Sequence, residues 1–446
     1  MQDHRQAGQE RLQQGINLAK ERKYEEALAI YDQILAENRN NKDVWYYKGN
    51  SLLALGQYKE ALTAFDQALY LDPHDARFYG NKGFALSELG RHEEALTVLD
   101  QALRLDPNDV LSLGNKGTVL DDLCRYEEAL ATYHQVLQVD PSDALTYYNK
   151  GNTLIHLKRY EEALAAFDQA IQLDSHNPLF YGNKGYVLNE LGRYEEAFIA
   201  YNESLRLESD YQVALAGRGI VLDELGRYEE ALAAYNQALQ VHPNDALTHY
   251  NKGNTLLHLR RYEEALAVYI RAIQLNPHDA RFHGNKGVAL AKLDRDEEAL
   301  AAYNEALRLQ PDYLPALVCK GTALDDLGRY EEALAVYQQA LQLDPNDAIA
   351  HYNKGNTLLN LNRYEQALAA YDCAFTLDPK NVDAAIGKGD ALSNLGRYEE
   401  AINAYDEALH LDPQNKEAFE RKGEALLALY PHLPPRKMDA DESENP

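Results

Sequence analysis

A glycine stands every 34 residues along this chain, thirteen times without a slip: Gly15, Gly49, Gly83, Gly117, Gly151, Gly185, Gly219, Gly253, Gly287, Gly321, Gly355, Gly389 and Gly423. A fixed period of that length over most of 446 residues means one supersecondary unit copied in tandem. Such a unit cannot bury its apolar face alone, so neighbours must stack and the core grows lengthwise. No stretch is left over for a separate catalytic domain. Function is therefore to be sought on the surface that the copies share.

Other positions keep step with the glycine. Leucine follows three residues later, from Leu18, Leu52 and Leu86 to Leu426, and alanine twelve later, from Ala27 and Ala61 to Ala401. Sixteen later comes a large apolar or aromatic residue: Tyr31, Phe65, Leu99, Tyr133, Phe167, then tyrosine from Tyr201 to Tyr405. Proline stands twenty-four later, at Pro73, Pro107, Pro141 and Pro243 to Pro413; Arg39, Ser175 and Ser209 replace it. This pattern resembles the tetratricopeptide repeat, with its W-x2-L-G-x2-Y, A-x3-F and P signature, over residues 8 to 430. One departure is systematic: Lys or Arg precedes the glycine from Lys48 to Lys422, where the family usually has leucine.

The resemblance implies an all-α fold, an α-solenoid in which antiparallel helix hairpins wind into a right-handed superhelix. It parses the chain into an N-terminal extension (1–7) and twelve repeats (8–41, 42–75, 76–109, 110–143, 144–177, 178–211, 212–245, 246–279, 280–313, 314–347, 348–381 and 382–415). A capping helix (416–430) follows, then an acidic, proline-containing tail (431–446) expected to be disordered.

The local physics agrees. In the fifth copy Asp143 is placed to cap a first helix over 144–157, and a second helix follows over 160–173. Tyr147, Leu154 and Leu157 fall on one face of the first, with Tyr148, Asn152 and Ile155 opposite. Ala163, Phe167 and Ala170 of the second face back. Gly56, Gly90, Gly192, Gly226, Gly328 and Gly396 supply the left-handed residue that ends several first helices. Asp-Pro stops the second.

Composition narrows the class of partner. A formal charge of −27 argues against nucleic acid, whose phosphates demand a basic surface. Part of that acidity is Glu-Glu at the start of second helices, as at Glu25-Glu26, Glu93-Glu94 and Glu127-Glu128, where it favours the helix dipole. No run approaches a membrane span, and Met1 to Gln6 show no signal peptide. Cys124, Cys319 and Cys373 form no C-x-x-C pair and fit a reducing, cytoplasmic setting. His156 and His258 lack metal-ligand spacing, and no phosphate-binding glycine motif is present, so neither a catalytic residue nor a metal or other cofactor is expected.

What varies lies on the first helices, which by the resemblance line a concave groove. The groove-facing positions are six, three and two before the glycine, and one, four and five after it. Two before it stand Asn81, Asn115, Asn149, Asn183, Asn251, Asn285 and Asn353. An amide offers donor and acceptor together, so a row of them can pair with successive peptide groups of an extended chain. This is similar to the asparagine ladder by which some family members grip a substrate backbone; the bland alternative is that each amide bridges neighbouring helices. A second period of about 102 residues is superimposed. Tyr148 and Asn152 recur as Tyr250 and Asn254, then Tyr352 and Asn356; Asp121-Asp122 recurs as Asp223-Glu224 and Asp325-Asp326. Each triplet thus offers exposed tyrosine as an anchor and an acidic pair, for an extended basic protein segment, unless recent duplication alone explains it.

The family's chaperone-tail binders hold a terminal carboxylate with Lys and Arg on three adjacent first helices; here no lysine stands three before the glycine and Arg77 and Arg281 are isolated, so the resemblance implies no such capture. The lysine just before the glycine is expected on the packed side, its ammonium reaching a carboxylate at the edge. The sequence reads as a non-enzymatic protein-binding scaffold; the alternative is a module that self-associates through its terminal repeats.

Overall fold

The computed structural model describes residues 2–431, and the tail expected from 431 onward lies, apart from Pro431, outside the described residues. Twenty-five helices, α1 to α25, follow one another with no strand among the described residues. Odd-numbered helices are the first of each hairpin and even-numbered ones the second. The helices fall into two compact units, Met1–Arg227 and Tyr228–Pro446, divided in the turn between α13 (Gln212–Glu224) and α14 (Tyr228–Val241). Helix α1 (Gln2–Lys20) begins six residues ahead of the first repeat, and α25 (Lys416–Leu429) stands alone at the other end.

Most hairpins are built the same way, while α13 and α19 (Leu314–Asp326) begin after Tyr211 and Tyr313 with no side-chain cap. Helix α9 (Ala144–His156) is capped by Asp143, whose carboxylate accepts the Leu145 N–H at 3.1 Å. Asn41, Asp75, Asp109, Asn177, Asp245, Asp279, Asp347, Asn381 and Asn415 cap their helices alike. The turn to α10 (Tyr160–Leu173) needs one left-handed residue. Glycine fills it at Gly56, Gly90, Gly192, Gly226, Gly328 and Gly396, with φ from 69° to 73°. In the other six hairpins a residue with a side chain is forced there: Arg22, Cys124, Lys158, Arg260, Asp294 and Asn362, with φ from 56° to 62°.

Second helices stop in an extended residue whether or not proline follows. Asp140, before Pro141, has φ −129° and ψ 90°, and Asp174, before Ser175, has φ −139° and ψ 99°. Proline is therefore not the only stop. The carboxylate of each aspartate accepts the backbone N–H two residues on, at 3.0 Å from Ser142 and 2.9 Å from His176, and this Asx turn supplies the alternative to helix.

The recurring glycine is a notch. A Cβ on Gly151 would lie 2.6 Å from Cε1 of Phe167, the fully buried ring of the paired helix. The same notch-and-ring pair joins Gly49 to Phe65, Gly185 to Tyr201 and Gly355 to Tyr371. Buried alanines such as Ala163 and Ala170 flank the ring, so the two helix axes approach closely.

The lysine before the glycine points to the back of the stack. Lys48, Lys82, Lys116, Lys184, Lys388 and Lys422 each pair with an aspartate on the preceding second helix: Asp32, Asp66, Asp100, Asp168, Asp372 and Asp406, at 2.5–3.0 Å. Where that helix carries His134, Asn236, Ile270, Asn304 or Gln338, the corresponding lysine (Lys150, Lys252, Lys286, Lys320, Lys354) makes no ion pair among the described residues. Burial then lowers the pKa of Lys252 and Lys320. We expect Asn304→Asp to pair with Lys320 and add up to about 1 kcal/mol, read as a higher denaturation midpoint. An unchanged midpoint at low salt refutes the pairing rule.

Within each unit, the backbones of successive first helices approach one another more closely than those of successive second helices. Each unit therefore curves with its first helices on the inner side.

Candidate binding face on the first helices

The inner face begins with an unforeseen row. Six residues before the glycine stand Leu111, Leu145, Leu179 and Val213 in consecutive repeats of the first unit, the first two 57% exposed. Leu247 and Ile349 hold the same place in the second unit, at 51% and 62%. These residues occupy the first turn of their helices. The signal was present in the sequence as aliphatic residues at a groove-facing position.

The seven asparagines do not form one uniform row. All are half-buried, and their partners sort them. Asn81 donates to Asn50 Oδ1 at 2.6 Å and Tyr46 Oη at 3.4 Å; Asn183 to Asn152 at 2.7 Å and Tyr148 at 3.2 Å; Asn285 to Asn254 at 2.8 Å and Tyr250 at 3.2 Å. In these three, both amide hydrogens are spent on the preceding first helix. Asn353 makes one long bond, 3.4 Å, to Thr322. Among the described residues Asn115, Asn149 and Asn251 make no side-chain hydrogen bond, and the Asn115 Nδ2 is a buried donor without a partner. The rule is local. An amide is spent where the preceding first helix offers Tyr and Asn, and it is left over where Asn115 follows Phe84 and Asn149 follows Thr118.

The tyrosines expected to be exposed are half-buried instead. The Tyr148 ring packs 5.9 Å from Phe167 and 5.2 Å from Phe180, centroid to centroid. Tyr250 lies between Tyr269 and Phe282, with the Arg281 guanidinium 5.6 Å over its ring, and Tyr352 packs against Tyr371. Asn254 and Asn356 each accept from the hydroxyl of a second-helix tyrosine, Tyr269 and Tyr371, at 2.7 Å. The 102-residue period thus repeats an inter-helix clamp. Tyrosine turns inward because its ring fills the wedge between two hairpins.

The acidic pairs also divide. Asp122, Glu224 and Asp326 are exposed; Asp121, Asp223 and Asp325 are half-buried. One oxygen of Asp121 accepts from Thr153 at 2.6 Å and Tyr133 at 3.0 Å, and Asp325 does the same with Thr357 and Tyr337. Burial raises the pKa of both, against the lowering effect of these hydroxyl donors. These carboxylates tie three helices together rather than displaying charge. Arg77 and Arg281 are likewise occupied, each held by its helix-capping aspartate, Asp75 or Asp279.

Models of the tetratricopeptide repeat match residues 12–76, 48–110, 115–178, 178–244, 217–273, 250–313, 321–362, 348–381 and 389–429. The chain belongs to the tetratricopeptide repeat family. No curated protein matches it in sequence. Among solved structures, the hetero-tetramer Cut9–Hcn1 of the APC/C aligns with a TM-score of 0.51 at 14% identity, covering 92% of this chain and 95% of that one. That likeness concerns the fold. Yeast Tom70 aligns at 0.43 and 15% identity, over 95% of this chain and 96% of that one. YrrB, described as a tetratricopeptide repeat protein with an unusual peptide-binding site, aligns at 0.36 and 28% identity, over 42% of this chain and 95% of that one. The three cysteines of this repeat protein are free, with Cys124 and Cys373 exposed. Among the described residues, no group of three or more His, Cys, Asp or Glu is placed to hold a metal ion, and no helix is long and apolar enough to cross a membrane.

Proposed function

We propose that this protein is a non-enzymatic scaffold that binds an extended segment of a partner protein along the inner face of its first helices, in the cytoplasm. The observation that carries this reading is the exposed aliphatic row Leu111, Leu145, Leu179 and Val213, with the uncommitted amide of Asn149 one turn after Leu145. Aliphatic knobs supply area, and spare amides can register a peptide backbone, so an extended chain with alternating apolar side chains fits the face. The exposed carboxylates Asp122, Glu224 and Asp326 favour a basic partner.

Affinity capture by the full chain and by its Asn149→Ala, Asn251→Ala, Asn353→Ala variant tests the reading. These amides have few or no internal partners, so the variant should keep its melting temperature and lose at least tenfold in affinity for the captured protein. Added salt should weaken that affinity further. Retained binding, or binding indifferent to salt, refutes the amide or the electrostatic part respectively. Self-association through the terminal repeats is the second reading. A mass that rises with concentration in light scattering supports it, and a strict monomer does not.

A further inference from the structure

The complete hairpins show what the face of a first helix requires, and the thirteenth first helix lacks it. In hairpins that lie within one unit, the notch glycine receives a ring or leucine from the second helix, as Gly151 receives Phe167. The leucine three residues on, such as Leu154, is then 1% exposed. Helix α25 repeats the pattern with no second helix opposite it among the described residues. A Cβ on Gly423 would meet no atom within 4 Å, and Leu426 is 39% exposed. Phe419 (61%) and Tyr430 (50%) complete one stripe at i, i+4, i+7 and i+11. To one side of this stripe α25 is anchored normally, with Ala418 and Ala425 buried and Lys422 paired to Asp406. The helix is held in place, and its outer socket is ready-made.

We propose that the socket of Phe419, Gly423, Leu426 and Tyr430 docks one amphipathic helix from another polypeptide, carrying alanine, an aromatic residue four later and a second alanine three after that. The chain itself supplies the argument for this occupant. The complement of the face is A-x3-aromatic-x2-A on a helix of about four turns, as in Ala163, Phe167 and Ala170 on α10, and Ala401, Tyr405 and Ala408 on α24 (Tyr398–Leu411). A second copy has no such helix to spare, because its own alanine and aromatic faces are already buried. Residues 431–446 contain no Phe, Tyr or Trp. The site lies on the flank of α25 and does not rest on the inner-face reading.

The test uses the full chain and a fluorescent peptide with the sequence of residues 396–413, which spans α24. Anisotropy should show saturable one-to-one binding. Replacing the peptide residue equivalent to Tyr405 by alanine, or Gly423→Gln in the protein, should weaken it at least tenfold. Gly423 faces open space, so the protein variant should melt like the parent. The Asn149, Asn251, Asn353 variant should bind the peptide normally, which separates this site from the inner face. Absence of saturable binding, or binding untouched by Gly423→Gln, overturns the proposal. A concentration-dependent dimer abolished by Gly423→Gln would assign the face to a second copy and overturn it equally.

Discussion

Phe167→Ala should destabilise the fifth hairpin by about 3–5 kcal/mol, the largest single loss we expect anywhere in the chain. The ring is fully buried and sits in the notch of Gly151, so its removal leaves a cavity that rigid helix backbones cannot collapse into. Gly151→Leu attacks the same contact from the other side. Its Cβ alone would lie 2.6 Å from the ring, and overpacking of this kind costs about 1–3 kcal/mol. The combined variant is the informative one. A leucine rising from the notch can occupy space the ring has vacated, so the double variant should lose clearly less than the sum of the singles. Unfolding of a stacked array need not be two-state, so hydrogen exchange in α9 and α10 is the better readout beside the denaturation midpoint. Strict additivity would mean that ring and notch are not one contact.

Four substitutions to glycine at the hairpin turns should together raise stability by about 2–4 kcal/mol. Arg22, Cys124, Lys158 and Arg260 adopt φ of 57° to 62°, where a side chain crowds the following carbonyl by about 1–2 kcal/mol. Glycine relieves that crowding but loses more freedom on folding, leaving about 0.5–1 kcal/mol net at each site. The sites are far apart in sequence and share no partner, so their gains should add. Asp294 and Asn362 occupy the same turn position, but short polar side chains tolerate it, and glycine there should gain little. Differential scanning calorimetry of the four-fold variant checks the sum. A melting temperature equal to the parent's would show that these turns carry no strain.

Much of this architecture was legible before any fold was seen. The 34-residue period, the glycines of the left-handed turns and the Asp143 cap are local features, set by residues within one helical turn of each other. The lysine row was legible only in outline. Its partner stands sixteen residues upstream on another helix, and the pairing rule emerges when Asp66 and Asn304 are compared at equivalent places. The inner face was the least legible part. Whether Asn183 is spent and Asn149 spare depends on residues 31 and 35 positions earlier, which become neighbours only when hairpins stack. Tyr148 was misplaced for the same reason, since the phenylalanine that covers it, Phe180, belongs to the next repeat.

The amino-acid order alone determined that the chain is a tandem array of helix hairpins, because periodicity, caps and turn residues act over a few bonds and are copied with each unit. Only the tertiary structure decided which side chains remain available to a partner. Availability is settled by what a neighbouring hairpin offers, and the same asparagine is glue in one repeat and free surface in another according to the helix packed against it.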